Sequence, residues 1–333
     1  MPTLSIERER FAVRGVFTIS RGSRTHAEVP TVRLDAGDGH VGRGECVPYA
    51  HYGETMDSVT EQIESLRGDL VRGLTREQLE DSLPAGAARN AVDCALWDLE
   101  LKGAGNRRES AQPAAGSLRS VRTMRTLSLA PPDVMAAEAE RVANLFETLK
   151  LKLGGEGDGS LDEHRVEAVH TAAPRCRLVV DANESWPATE AERRARRMAE
   201  RGVALVEQPV PADDDEVLAT FEHPLALCAD ESFHTASDVD RVATRYDVVN
   251  LKLDKTGGLT HALRARHDAE AAGLGIMVGC MLGTSLAMAP ALHLARAAEW
   301  VDLDGPYLLA EDRDPGLRLT EDGFMEPNAL LWG

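Results

Sequence analysis

The chain has 333 residues, 43% hydrophobic and 28% charged, with a formal net charge of −18 at pH 7. That length suffices for one large barrel domain with an addition, or for two modest domains, the composition is that of an ordinary globular protein, and the acidic balance argues against a nucleic-acid or anionic-membrane partner. Five widely spaced cysteines without a CxxC pair, an N-terminus with no apolar core and no run of 18 apolar residues lead us to expect reduced thiols, a cytoplasmic protein and no membrane span.

Residues 3–46 read as antiparallel strands: Val29 to Asp35 alternates in part, Asp38-Gly39 marks a turn and Val41 to Cys46 returns. Between strands, the polar loop Arg21-Gly22-Ser23-Arg24-Thr25 carries two cations. A second loop, Val47 to Glu54, concentrates aromatic residues that are few in this chain. Helical periodicity follows over 56–71, 75–82 and 87–102, the last with Val92, Ala95, Leu96 and Leu99 on one face. A sheet followed by helices without alternation is an α+β domain. The Gly-, Ala-, Arg- and Ser-rich stretch 103–120 is the expected crossing to a second domain. The boundaries expected are 1–117 for the first domain and 118–306 for the second, with the turn-rich segment 307–333 packing back on the first.

Beyond the crossing, strands alternate with helices. Candidate strands begin near Met124, Leu149, Arg177, Val203, Leu225, Asp247, Gly275 and Trp300. Eight strands at this spacing are the count of an α/β barrel. A doubly wound open sheet is the competing layout, but no GxGxxG follows an opening strand to support it.

The third, fourth and fifth candidate strands end alike: Leu178-Val-Val-Asp181, Val203-Ala-Leu-Val-Glu207 and Leu225-Ala-Leu-Cys-Ala-Asp230. A carboxylate after a short apolar run sits at the C-terminal tip of a buried parallel strand. One such residue is most simply a solvated loop residue or a helix cap. Three in phase bring like charges together, which is tolerable around a cation, and an all-oxygen set points to Mg²⁺ or Mn²⁺. On the second strand, Leu149-Lys150-Leu151-Lys152-Leu153 puts both lysines on one face by period 2, and the lumen near the barrel mouth is the cheaper place for them, an edge strand with solvated lysines being the plain alternative. The sixth, Val248 to Asp254, repeats the theme with Lys252 and runs on to Lys255-Thr-Gly-Gly. Strands 2 and 6 of an eight-strand ring are opposite, so amines face each other across the acids. A desolvated lysine beside a cation can act as a base near neutral pH, and a base on each side of a metal-bound carboxylate's α-carbon permits racemisation or epimerisation through an enediolate. On the eighth strand Asp302 and Asp304 share a face suited to a substrate ammonium, with helix capping or barrel closure as the structural alternative. Small residues around Gly279, Cys280 and Met281 would let a substrate approach the backbone, although apolar packing explains them equally well.

Lys150-x-Lys152, Asp181-Ala-Asn-Glu-Ser-Trp, Glu207-Gln-Pro, Ala229-Asp-Glu-Ser and Lys252-Leu-Asp-Lys255-x-Gly-Gly together resemble the enolase superfamily, muconate-lactonizing-enzyme subgroup. Sites of that superfamily pair a Lys or His base with Mg²⁺ that stabilises the ene-diolate, so for this chain the same chemistry is what the resemblance implies. Arg21-Gly-Ser-Arg24, Pro84-Ala-Gly-Ala-Ala-Arg-Asn90, Gly279-Cys-Met-Leu and Asp302-Leu-Asp-Gly-Pro306 are similar to the dipeptide epimerases within it. The resemblance implies a (β/α)7β-type modified TIM barrel with an N-terminal α+β capping domain. It implies Asp181, Glu207 and Asp230 as ligands of one Mg²⁺, with Mn²⁺ as a substitute. Lys152 and Lys255 would be the acid/base pair, with Lys150 beside the substrate carboxylate. Asp302 and Asp304 would hold a dipeptide's amino group, Arg24 (or Arg21) the glutamate side chain, and Thr126, Cys280 and Met281 would contact the substrate. The activity implied is two-base epimerisation of a cell-wall-derived Ala-Glu dipeptide. The rivals are a sister reaction on the same scaffold (N-acylamino-acid racemisation, o-succinylbenzoate synthesis or cycloisomerisation) and a non-catalytic anion- or metal-binding protein. A homo-oligomer is compatible with the sequence.

Overall fold

The computed structural model describes residues 2–103, 119–154 and 159–333. The expected crossing at 103–120, and the boundary set at 117, lie almost wholly outside the described residues.

A hairpin of two long strands, β1 (Thr3–Ile19) and β2 (Gly22–Asp35), opens the chain, and β3 (Val41–Glu45) extends it into a three-stranded antiparallel sheet. The turn between β1 and β2 is tighter than the sequence suggested. Gly22, at φ +139°, lets the strand restart at once, so Arg24 stands on β2 opposite Phe17. Three short helices follow, α1 (Met56–Ser65), α2 (Arg67–Val71) and α3 (Arg76–Ser82). Thr55 and Thr75 start the first and third with capping boxes that satisfy otherwise orphaned amides. Then comes α4 (Ala87–Gly103), buried continuously from Ala87 to Asp98. One side of α4 lies so close to β3 that a Cβ at Gly42 or Gly44 would strike the Ala95 or Ala91 carbonyl. Its other side faces the barrel.

After β4 (Val121–Arg122), eight parallel strands run in sequence order: β5 (Arg125–Leu127), β6 (Thr148–Lys152), β7 (Arg177–Asp181), β8 (Val203–Glu207), β9 (Ala226–Ala229), β10 (Val248–Leu251), β11 (Gly275–Gly279) and β12 (Trp300–Asp302). The connections carry α5 (Pro132–Val142), α6 (Ser160–Ala172), α7 (Ala191–Glu200), a 3-10 stretch (Ala212–Thr220), α8 (Val239–Val242), α9 (Leu253–Thr256) with α10 (Leu259–Ala271), and α11 (Ser285–Met288) with α12 (Leu292–Ala295). The ring closes from β12 to β5 through one backbone bond, Met124 N to Val301 O at 2.8 Å, helped by the Thr123 hydroxyl, which accepts from Leu303 N at 2.9 Å. This is the (β/α)7β barrel with a capping domain, not an open doubly wound sheet.

Alternation decides what fills the ring. Met124, Val179, Leu205, Cys228, Val248, Met277 and Trp300 point inward and form the apolar plug of the lumen. Two residues further along five of these strands come Asp181, Glu207, Asp230, Asn250 and Asp302, on the same face and nearer the mouth. The outward set, with Leu149, Leu151, Val180, Val206 and Leu251, packs under the helices.

The chain beyond β12 continues with α13 (Gly305–Leu308), then β13 (Arg318–Leu319) and β14 (Phe324–Glu326), a hairpin that pairs with β4. Its flanks touch the capping domain: Arg313 pairs with Glu9 at 2.6 Å and Glu45 at 2.7 Å, and the Trp332 indole donates to Cys94 O at 3.1 Å. All five cysteines are free thiols, and no described helix is long and apolar enough to cross a membrane.

Candidate active site

The mouth of the barrel and the β1–β2 turn enclose a cavity of about 460 Å³. Arg24, Thr126, Lys150, Lys152, Asp230, Lys252, Cys280, Met281, Asp302 and Asp304 line it, together with Tyr49, His51 and Tyr52 from the capping domain. Asp181, Glu207 and Lys255 are buried beside it and are not among its lining residues.

The three acids stand on adjacent staves. Asp181 and Glu207 face each other in register, and Asp230 follows β9 by one residue. All are buried, and each meets an amine. Lys152 donates to Asp181. Lys150 lies 2.6 Å from Glu207 Oε2, 2.6 Å from Asp302 and 3.4 Å from Asp181. Asp230 accepts from Lys252 and Lys255, both at 2.6 Å. Among the described residues no three acidic, histidine or cysteine side chains converge on one point. The convergence expected from the strand tips therefore takes another form: the repulsion between carboxylates is relieved by ammonium groups between them.

Electrostatics follow from that arrangement. Burial opposes charge on Asp181, but Lys152 and Lys150 outweigh it and hold the carboxyl down to about 2. Asp230 is likewise held well below the usual range by Lys252 and Lys255 against the cost of burial. Glu207 goes the other way: burial pushes it up, and the charges on Asp181 and Asp230 add to the push. Burial also depresses Lys150, yet Asp302, Glu207 and Asp181 raise its amine well above the ordinary value. Lys255 differs from it. Complete burial lowers its pKa, the charge of Lys252 adds to that, and Asp230 does not restore it. A lowered ammonium is the direction a general base requires.

These residues suit a hard cation. The donor set is all oxygen, the carboxylates are mutually repelling and buried, and Glu207 Oε2 has no well-angled hydrogen bond although Lys150 is near. Glu207 Oε1 is fixed by Asn250 Nδ2 at 2.8 Å, and Asp181 Oδ1 by Asn183 N at 2.9 Å. Asn183 (φ 44°), Glu184 (φ 66°) and Gln208 (φ 35°) all occupy the left-handed region just after the acidic tips. Such backbone strain is stored where the surroundings enforce it. Gln208 shows how: its side-chain oxygen accepts from Asp230 N at 2.9 Å and Ser232 N at 3.0 Å, tying one tip to the next.

On the far wall, Asp304 accepts from Thr126 N at 2.8 Å and the Thr126 hydroxyl at 3.1 Å, and that hydroxyl also reaches Asp302 at 3.3 Å. Burial raises Asp304, and neighbouring Asp302 adds to the rise while Arg125 opposes it. The small residue at Gly279 has a reason other than substrate approach: a Cβ there would overlap the Asn250 amide that holds Glu207.

The two arginines of the turn separate. Arg21 is committed to Glu231 at 2.5 Å, Glu184 at 3.0 Å, Asn183 O at 3.0 Å and the Tyr49 hydroxyl at 3.1 Å. Arg24 lines the cavity, lies over the Tyr49 ring at 5.4 Å and has no ion-pair partner among the described residues. Glu231 escaped the sequence reading. It is fully buried beside Asp230, which together with burial pushes it up to about 7 against the pull of Arg21. The only signal for it in the sequence was its place after a strand-tip acid.

Residues 134–329 match the enolase C-terminal domain-like family model, and residues 2–106 match the mandelate racemase / muconate lactonizing enzyme N-terminal domain model. The L-Ala-D/L-Glu epimerase of Escherichia coli (strain K12) is 46% identical over 96% of this chain and 98% of its own. An N-acetyl-D-glutamate racemase of a Pseudoalteromonas species is 43% identical over 88% of this chain and 91% of its own. A crystal structure of an enolase family member from Agrobacterium tumefaciens with homology to dipeptide epimerases, containing sodium and L-Ala-L-Glu, superposes with a TM-score of 0.94 at 48% identity, covering 100% of both chains. With both halves of the chain matched, it belongs to the mandelate racemase / muconate lactonizing enzyme family of enolase-like proteins.

Proposed function

We propose that the protein is a dipeptide epimerase that interconverts L-Ala-D-Glu and L-Ala-L-Glu, in the cytoplasmic recycling of cell-wall peptides. One observation carries the reading: Lys152, on β6, and Lys255, just after β10, stand four staves apart in an eight-strand ring, with Asp181, Glu207 and Asp230 on the arc between them. Binding alone has no use for amines on opposite sides of one site. Epimerisation does, because one amine takes the α-proton from one face while the opposite ammonium returns a proton to the other.

Asp181, Glu207 and Asp230 are the residues that would hold a divalent cation, Mg²⁺ or in its place Mn²⁺. When bound, that ion supplies positive charge to the substrate carboxylate as the α-proton leaves. Lys150 lies beside the same carboxylate. Asp302 and Asp304 receive the dipeptide's ammonium, and Arg24 the glutamate side chain, with Thr126, Cys280 and Met281 along the wall.

The 43% identity to an N-acetylglutamate racemase supports a second reading, racemisation of N-acyl glutamate. The paired acids Asp302 and Asp304 favour the first, since an N-acyl group brings no positive charge to meet them.

The test is deuterium incorporation in D₂O with each Ala-Glu epimer and with N-acetylglutamate, before and after chelation. We expect a one-mass-unit gain with the dipeptides and a drift of optical rotation from either epimer to one shared equilibrium value, both abolished by chelator and restored by Mg²⁺. Lys152→Ala and Lys255→Ala should each lower turnover by roughly 10²-fold or more. Faster turnover of N-acetylglutamate than of either dipeptide would transfer the assignment to the racemase.

A further inference from the structure

The two amines are not mounted alike. Lys152 ends β6, where five successive residues pair with β7, so the barrel's own ladder sets its position. Lys255 sits in α9, a helix of four residues. A single turn has almost no stability of its own, so its place must be fixed from outside.

The Lys255 amine itself donates to Asp230 of the barrel, at 2.6 Å to Oδ1 and 2.5 Å to the carbonyl, but the turn that carries it is held on both sides from the capping domain. On the residue before Lys255, Asp254 Oδ1 accepts from the Asn90 side-chain amide at 2.8 Å and from Val47 N at 3.0 Å. On the residue after it, Thr256 O accepts from Arg89 Nη2 at 2.9 Å. The Arg89 guanidinium also lies against Gly257 (φ +79°), where any Cβ would collide with it. Arg89 is buried and has no acidic ion-pair partner among the described residues. A buried, unpaired guanidinium costs free energy, and folding alone would be served better by an apolar side chain. Just beyond, Asp93 takes Thr260 N at 3.0 Å and caps the start of α10, so one face of α4 grips the whole segment that carries Lys255.

We propose that Arg89 and Asn90 are positioning residues that fix the Lys255 amine from the capping domain by holding the residues on either side of it. The inference rests on the epimerase reading above. It predicts a one-sided defect. The epimer whose α-proton faces Lys255 loses its reaction in a clamp variant. The other epimer still gives its proton to Lys152 and, since the return from Lys255 is slowed, takes a solvent deuteron back from Lys152 without inverting.

The experiment compares exchange and inversion in D₂O for L-Ala-L-Glu and L-Ala-D-Glu, each as starting material, in wild type, Arg89→Met, Asn90→Ala, Lys152→Ala and Lys255→Ala. Arg89→Met conserves bulk and removes a buried charge; Asn90→Ala gives the same readout independently. A displacement on the order of 1 Å can cost about 10²-fold. We therefore expect exchange of one epimer to fall about tenfold or more in both clamp variants, with exchange of the other held within about twofold. The epimer affected should be the one that Lys255→Ala affects. Equal losses for both epimers, no loss for either, or a loss matching Lys152→Ala overturns the clamp. A wild-type protein inert toward both epimers overturns the epimerase reading itself, and the clamp with it.

Discussion

Arg21 and Arg24 stand three residues apart on one hairpin, and their surroundings give them different work. Arg21 spends its donors on Glu231, Glu184, Asn183 and Tyr49, tying the capping domain to the barrel rim. Arg24 lines the cavity and makes no ion pair among the described residues. A charge-assisted hydrogen bond contributes about 1.5–3 kcal/mol, or roughly 10- to 150-fold in affinity. Arg24→Met should accordingly lower kcat/KM for L-Ala-L-Glu within that span and leave a dipeptide with an apolar second residue nearly unaffected, as steady-state kinetics on the two substrates would show. Which residues face the lumen was legible in the sequence, because period 2 ties Asp181 to Val179 and Lys152 to Lys150. The choice between the arginines was not legible. It depends on Glu231, more than 200 residues away, and a contact across two domains leaves no local pattern.

At the scale of elements, strands announce themselves best. Those expected near Leu149, Arg177 and Val203 begin at Thr148, Arg177 and Val203, since a short apolar run between polar loops has few other readings. What failed was the sixth strand's end. Lys255 belongs to a turn of helix after β10, and Lys252 to Asp254 looked equally like strand until Gly257 and α4 were in view. The joint between α4 and α9 has a pH signature of its own. Burial raises the Asp254 carboxyl from 3.8 to about 7, against the bonds from Val47 and Asn90. A carboxyl raised on folding adds stability below its unfolded pKa, and that contribution is lost as pH rises through the folded one. Wild type should therefore lose stability between about pH 4 and pH 7, and Asp254→Asn, which keeps an acceptor for both donors, should lose less over the same interval. Chemical denaturation at pH 5 and pH 8 makes the comparison.

For the whole molecule, the segment after β12 matters more than its turn-rich sequence suggests. Arg313 meets Glu9 and Glu45 from the capping domain and the Thr284 hydroxyl from the barrel. Trp332 is 1% exposed, with its ring 5.5 Å from His293 and its indole bonded to α4. Trp332→Ala should cost about 3–5 kcal/mol, seen as a lower denaturation midpoint at unchanged slope. The join between β12 and β5 carries a consequence for ligand binding. One main-chain bond closes it, and Asp302 and Asp304, the acids we propose for a substrate ammonium, are the same ones that hold Thr126. An arriving cation competes for Asp304 with the Thr126 amide, so that single N–H is a built-in reporter. Its hydrogen exchange should quicken when a dipeptide occupies the cleft and stay slow with an N-acylated one, a readout of occupancy that needs no turnover.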